Sequence, residues 1–283
     1  MMGTIKEAKQ FLIHAFKAAG LESADIDARL LLMHVTGLSH VDLISSASHI
    51  LSDETADEIK SLSMRRISGE PVDHILGYKE FYGRRFKVTK DVLSPRPETE
   101  MLVDEALRIV GTHAQSRVLD LGTGSGAIII SILAESNLMA GTATDISEAA
   151  LRIARQNAQT HDVYERLKFI QGSWLDFIDA EYDLIISNPP YISHADILTL
   201  QDEVKGFDPN LALSGGGDGL EAYRAIISNV TARLSTSGKV LFEIGFDQAA
   251  AVSNLLKQAG LTNISVRKDL ARHDRVVMAE KPN

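Results

Sequence analysis

Apolar residues recur at helical spacing through the first 77 positions, then change to short runs separated by helical segments. Ile5, Ala8, Leu12, Ala15 and Ala19 share one helix face, and Gly20 ends that segment. Ser23 stands where a cap would open a second helix carrying Ala28, Leu31, Leu32 and Val35, closed by Gly37. Ser39 is expected to begin a short third helix. Ser52 begins another through Ala56, Ile59 and Leu62, ending near Gly69-Glu70-Pro71, and one further turn is expected before Gly77. Phe81, Tyr82, Phe86 and Val88 surround Gly83, a hairpin pattern that marks the joint between two domains. Pro97 suits the first turn of a helix running to Val110, with Glu98 and Glu100 near its positive end.

Beyond Arg117 strands and helices alternate. Strands are expected at Val118–Leu121, Gly141–Asp145, Leu167–Gln171, Tyr182–Ser187 and Lys239–Ile244, with a closing pair near Ile264–Arg267 and Val276–Ala279. Helices are expected at Ala127–Ala134, from Ser147 to Thr160, at Glu221–Leu234 and at Gln248–Ala259. A βαβ series predicts a mostly parallel sheet covered on both faces, and two final strands without a helix between them predict an antiparallel edge hairpin. The expected fold class is therefore α/β. Its organisation is a small all-helical domain over 1–77, a β-hairpin linker over 78–95 and an α/β domain over 96–283.

Composition narrows the function. A charged fraction of 24% against 45% hydrophobic residues is that of a soluble globular chain. Having no cysteine excludes disulfides, thiolate metal sites and a cysteine nucleophile, and fits a cytoplasmic location. His14, His34, His40, His49 and His74 are scattered without metal spacing, so no metal is expected. A formal charge of −9 argues against gripping phosphate backbones, so no direct nucleic-acid binding is expected. The first twenty residues lack the continuous apolar core of a signal peptide, and no apolar run approaches the ~18 residues of a membrane helix, so no membrane partner is expected.

The chemistry concentrates at strand ends. Asp120-Leu121-Gly122-Thr123-Gly124-Ser125-Gly126 lies between a strand and a helix, where glycines let the backbone turn sharply and approach a ligand. Asp145 ends the next strand, where a carboxylate holds ribose hydroxyls. Together these indicate a nucleoside-containing cofactor, NAD or S-adenosylmethionine. Asp120, two residues before the first glycine, suits the ammonium group of the latter, and Trp174 after the third strand suits its adenine. Asn188-Pro189-Pro190-Tyr191 closes the fourth strand. Two prolines stop the strand, hold Asn188 extended and leave the Pro189 carbonyl without a ladder partner. An amide oxygen beside a free carbonyl and an aromatic ring is shaped for a planar –NH₂ group.

With Gly77-Tyr78-Lys79-Glu80-Phe81-Tyr82-Gly83 and Ser94-Pro95-Arg96-Pro97-Glu98-Thr99-Glu100 added, the order of motifs resembles the PrmC/HemK family over nearly the whole chain. Ser94 departs from the aliphatic residue usual before Pro-Arg-Pro. The resemblance implies a class I, Rossmann-like methyltransferase domain. It implies methyl transfer from S-adenosyl-L-methionine, releasing S-adenosyl-L-homocysteine, to the N5 amide nitrogen of a glutamine. That glutamine lies in the Gly-Gly-Gln motif of class I peptide chain release factors, which would be the protein partner. Asp120, Gly122 to Gly126, Asp145, Trp174 and Asn188 would then bind the cofactor. Asn188, Pro189, Pro190 and Tyr191 would hold the glutamine, and the helical domain would dock the substrate. The competing expectations are a ribosomal-protein glutamine methyltransferase, a nucleic-acid adenine N6-methyltransferase and an NAD-dependent oxidoreductase. Gly215-Gly216-Gly217-Asp218-Gly219-Leu220 is expected to be a mobile loop without a catalytic role.

Overall fold

The computed structural model describes residues 3–111, 115–200 and 202–283, so the first two positions of the expected helical domain lie outside it. The chain divides into two compact units, the first made of the residues up to Tyr78 together with Gln201–Phe207. The first unit contains α1 (Ile5–Ala18), α2 (Ala24–Thr36), α3 (His40–Ser45), α4 (Asp53–Ile67) and α5 (Val72–Leu76). The Thr4 hydroxyl accepts from Glu7 N while the Glu7 carboxylate accepts from Thr4 N, so two of the free donors at the start of α1 are satisfied reciprocally. Ile5, Ala8, Leu12 and Phe16 of α1 pack with Ala28, Leu31 and Leu32 of α2 in the core of this unit.

Ser23 does not cap α2 with its side chain as expected. Its hydroxyl instead donates to Asp27 at 2.7 Å, and Asp27 also accepts from Arg66 Nε at 2.7 Å. Arg66 Nη2 donates to Glu203 at 2.9 Å, and the helix Asp202–Phe207 that carries Glu203 belongs to this unit despite its place late in the chain. A buried charge is retained only when paired, so Arg66 joins α2 to a segment the hydrophobic pattern leaves unassigned.

The second unit opens with most of the hairpin β1 (Tyr78–Phe81) and β2 (Arg84–Lys87). The segment expected to act as a linker clusters with this unit from Lys79 onward. Pro97 starts a 3₁₀ turn, Pro97–Thr99, before α6 (Glu100–Val110). Glu100 accepts from Tyr82 N at 2.7 Å and ties the hairpin to that helix start. There follow β3 (Arg117–Leu121), α7 (Ala127–Ala134), β4 (Ala140–Asp145), α8 (Glu148–Thr160), β5 (Leu167–Gln171) and β6 (Tyr182–Ser187). The next residues form α9 (His194–Ile197), α10 (Asp202–Phe207) and α11 (Asn210–Leu213), short helices that no apolar periodicity announces. The chain ends with α12 (Glu221–Val230), β7 (Leu234–Glu243), α13 (Ala249–Gln258), β8 (Thr262–Lys268) and β9 (Asp274–Glu280).

Helix α12 stops before its expected end at Leu234, through a 3₁₀ turn at Thr231–Arg233, and Leu234 already begins β7. The polar stretch Ser235-Thr236-Ser237-Gly238 hid the first half of that strand from a hydrophobic reading.

The seven strands of the main sheet run in the order β5-β4-β3-β6-β7-β9-β8. The first five of these are parallel, and β9 pairs antiparallel with both β7 and β8. The chain steps outward from β3 to β5, then returns to place β6 on the other side of β3. The crevice at the carboxyl ends of β3 and β6 is the topological switch point, where such sheets bind ligands. Leu121 and Ser187 are register partners at that edge, and Ser187 Oγ donates to Leu121 O at 2.7 Å. The glycine turn and the Asn-Pro-Pro-Tyr segment both leave the sheet from this point.

Candidate active site

The turn after β3 is fixed by the ends of its neighbours. Thr123 N donates to Thr144 O at 2.9 Å, Gly126 N to Thr123 O at 2.8 Å, and Gly124 N to Asp145 Oδ2 at 2.9 Å. Gly122, Gly124 and Gly126 have φ of 70, 55 and 81°, a left-handed region open to glycine at little cost. A Cβ on Gly126 would lie 2.6 Å from Ile130 Cδ1 and 3.2 Å from Ala154 Cβ, so this glycine seats the turn against α7 and α8. Asn157, buried on α8, donates to Ser125 O at 2.8 Å and exchanges hydrogen bonds with Lys87 N and O. Sequence reading missed it. A lone amide on the otherwise apolar face of α8, beside Ala154 and Ala158, is the signal that marks it.

Both Asp145 carboxylate oxygens accept backbone bonds, from Gly124 N and from Ser147 N, each at 2.9 Å. Burial raises its pKa, and those backbone donors oppose the shift. Asp120 is 1% exposed at the end of β3. Thr123 Oγ1 donates to its Oδ2 at 2.6 Å, while among the described residues the buried Oδ1 has no hydrogen-bond partner. Burial pushes the Asp120 carboxyl up to about 7, against the Thr123 hydrogen bond and with a smaller push from Asp145. A buried carboxylate oxygen left unmatched is an acceptor in want of a cationic or N–H donor.

Trp174 has φ 51°, and its carbonyl accepts from Thr144 Oγ1 at 3.2 Å. Its ring edge lies 3.3 Å from where a Gly122 Cβ would stand, so the glycine leaves room for the indole.

A cavity of about 520 Å³ opens at the switch point. Gly122, Thr123, Gly124, Ser125, Asp145, Trp174, Asn188 and Pro190 all line it. The fold thus brings together the glycine turn, the acidic strand end, the indole and the Asn-Pro segment. Four of the expected site residues do not line the cavity. Asp120, Gly126 and Pro189 are buried, and Tyr191 packs with the apolar cluster that contains Tyr223 and Phe242. Burial raises the Tyr191 phenol to about 12, with the Glu243 carboxylate adding to the shift.

Asn188 Nδ2 donates to Thr99 Oγ1 at 3.2 Å, which leaves its Oδ1 as the free end of the carboxamide. Among the described residues no donor reaches the Pro189 carbonyl. Gln248 holds the end of the segment in place. Its Nε2 donates to Tyr191 O at 3.0 Å and to Gly219 O at 3.1 Å, while its Oε1 accepts from Gly245 N at 3.0 Å.

The stretch from Gly215 to Leu220, expected to be mobile, is instead packed on this backbone. Gly215 N donates to Ile192 O at 2.9 Å and His194 N to Gly216 O at 3.0 Å. A Cβ on Gly215 would come within 2.8 Å of Pro190 O, and one on Gly219 within 2.5 Å of Tyr191 O. Those glycines exist because two backbones lie in contact there.

A switch-point cavity of this construction belongs to the methyltransferase class of α/β domains. A family model described as the methyltransferase small domain matches residues 99–204, and one described as the PrmC N-terminal domain matches residues 7–77. The release factor glutamine methyltransferase of Caulobacter vibrioides is 41% identical, with 94% of this chain and 92% of that protein covered. That of Cereibacter sphaeroides is 42% identical over 98% of each. The chain belongs to the release factor glutamine methyltransferase family. A methyltransferase structure from Pyrococcus furiosus, 15% identical, shares the fold with a TM-score of 0.54, covering 79% of this chain and all of that one. Among the described residues no helix is long and apolar enough to cross a membrane, and no group of His, Asp and Glu side chains stands where it could hold a metal ion.

Proposed function

We propose that this enzyme methylates the side-chain amide nitrogen of a glutamine in the Gly-Gly-Gln motif of class I release factors, with S-adenosylmethionine as the methyl donor. The observation that carries the reading is the placement of Asn188 and Pro190 on the same cavity as Gly122–Ser125, Asp145 and Trp174. Full-length similarity to relatives named for release factor glutamine methylation supports the choice of substrate.

The residues present fit the cofactor. The glycine turn gives close backbone approach, and the Asp145 oxygens keep lone pairs for ribose hydroxyls. Trp174 offers an aromatic face for adenine. When bound, the cofactor supplies a sulfonium methyl that needs no further activation.

The chain's own residues then position the nucleophile. A glutamine amide nitrogen is weakly nucleophilic because its lone pair is delocalised into the carbonyl. Asn188 Oδ1 and the Pro189 carbonyl accept its two N–H bonds, which polarises the nitrogen and aims it. Both bonds strengthen as positive charge develops on that nitrogen. Positioning alone supplies up to ~7–11 kcal/mol in well-oriented systems, so no dedicated base is required for the transfer itself. Pro190 flanks the flat amide, and Gln248 and the Gly215–Gly219 stretch keep the segment rigid. The helical unit, which the PrmC N-terminal model matches, docks the release factor.

Labelled methyl transfer to purified release factor, with the modified residue mapped by mass spectrometry, tests the assignment. Asn188→Ala is expected to keep cofactor affinity within a few fold while turnover falls by orders of magnitude; near-normal turnover refutes the role of Asn188.

A further inference from the structure

An asparagine that must present its oxygen faces a choice between two nearly isosteric orientations. The Asn188–Thr99 hydrogen bond does not settle it alone, because a threonine hydroxyl both donates and accepts. The orientation depends on where the single hydroxyl proton of Thr99 goes and on what else the carboxamide bonds. Thr99 stands at the cavity wall but is only 3% exposed, and Glu243 is 2% exposed. Glu243 ends β7, the strand beside β6, and its carboxyl faces both the Thr99 hydroxyl and the Asn188 carboxamide, whose hydrogen bonding favours its charged form. Its backbone is fixed by Tyr223 Oη, which donates to Glu243 O at 2.8 Å. Among the described residues its buried Oε2 has no hydrogen-bond partner.

We propose that Glu243 is a positioning residue for methyl transfer. As a carboxylate it can only accept, so it takes the Thr99 hydroxyl proton. Thr99 Oγ1 is then left with lone pairs alone to offer Asn188. That fixes Nδ2 inward and keeps Oδ1 free for the substrate N–H. Glu243 does not line the cavity, so it acts through Thr99 and Asn188 and not on the reacting atoms. The inference rests on the reading of Asn188 given above.

Protonation reverses the logic. A neutral Glu243 becomes a donor, Thr99 is free to donate to Asn188 Oδ1, and the carboxamide is free to flip. Burial pushes Glu243 up to about 7, opposed by Thr99, by Arg275 on β9 and by Asn188, and assisted by Glu98 before α6. Tyr191 after β6 and Tyr223 on α12 also face it. Methyl transfer is therefore expected to rise with pH through neutrality.

The test uses the full-length enzyme, purified release factor and labelled S-adenosylmethionine. Glu243→Gln is isosteric but restores the ambiguity, because its amide also donates. It is expected to lower kcat about 10- to 100-fold, with cofactor Kd and release-factor KM within a few fold of wild type. It is also expected to lose the rise through neutral pH. Thr99→Val, which leaves the carboxylate to hold Nδ2 directly, is expected to lose less than Glu243→Gln, Thr99→Ser to recover most of that loss, and the double variant Glu243→Gln/Thr99→Val to be no worse than Glu243→Gln alone. Wild-type kcat and pH profile in Glu243→Gln overturn the proposal, as do additive losses in the double variant. A cofactor Kd that weakens in step with kcat overturns it too. If Glu243→Gln does not fold, equal activity of Thr99→Val and Thr99→Ser overturns it instead. Asn188→Ala run alongside separates the two readings. Normal turnover there removes the Asn188 assignment and this inference with it, whereas collapse there with a normal Glu243→Gln removes this inference alone.

Discussion

Replacing Asp120 by asparagine removes a charge held at the end of β3 with one oxygen unmatched. Burial moves that carboxyl from 3.8 to about 7. A carboxyl whose folded pKa is raised contributes stability that is complete below the unfolded value and is lost as pH rises toward the folded one. At 1.36 kcal/mol per unit, a shift of about three units is about 4 kcal/mol, with roughly 2–3 kcal/mol of it falling between pH 5 and pH 8. At 1% exposure, no discount for solvent screening applies. Urea unfolding of the cofactor-free protein at the two pH values is the assay. Glu243 titrates in the same range in both proteins, so the informative quantity is the difference between them. Wild type is expected to lose roughly 2–3 kcal/mol more than Asp120→Asn. In the variant the amide oxygen can keep the Thr123 bond. The variant should thus be more stable than wild type at pH 8. Parallel losses of stability with pH in the two proteins would refute the reasoning.

Two further outcomes follow from the same kind of accounting. Arg66→Ala leaves Asp27 buried without its cation and removes the bond to Glu203, so urea unfolding should show a loss of about 3–5 kcal/mol. Asn157→Ala strips partners from Lys87 N, Lys87 O and Ser125 O. It should lower stability by about 2–3 kcal/mol and weaken S-adenosylmethionine binding, measured by denaturation and calorimetry, because the glycine turn loses its brace.

The alternation of strands and helices beyond Arg117 was legible because parallel strands buried on both faces read as continuous apolar runs. Val118–Leu121 and Tyr182–Ser187 are of this kind, and both lie at the centre of the sheet. The first half of β7 was not legible, since its polar residues carry no such pattern. Helices α9 to α11 escaped for a different reason. They are of six residues or fewer and are held by tertiary contacts and loop bonds, not by an amphipathic stripe of their own. The glycine turn, Asp145 and Asn188-Pro189-Pro190-Tyr191 were visible as motifs because their chemistry depends on local backbone geometry. The roles of Thr99, Glu243 and Gln248 were invisible, and Asn157 was marked only as a lone amide on an apolar helix face. Each is a single polar residue whose importance lies in a partner elsewhere.

The sequence by itself therefore determined the layered architecture, the cofactor-type turn and the segment suited to a planar nitrogen, since all three are written in neighbouring residues. The tertiary structure decided which of these residues meet. It buried Asp120 away from the cavity, made the Gly215–Gly219 stretch a support for the Asn-Pro segment, and carried α10 into the helical unit. It also set Thr99 against Asn188 across 89 residues of chain, with Glu243 buried beside them. The reason is topological: crossover connections carry β3, β6 and β7 side by side, and the contacts at their carboxyl ends exist only once the sheet has closed on that order.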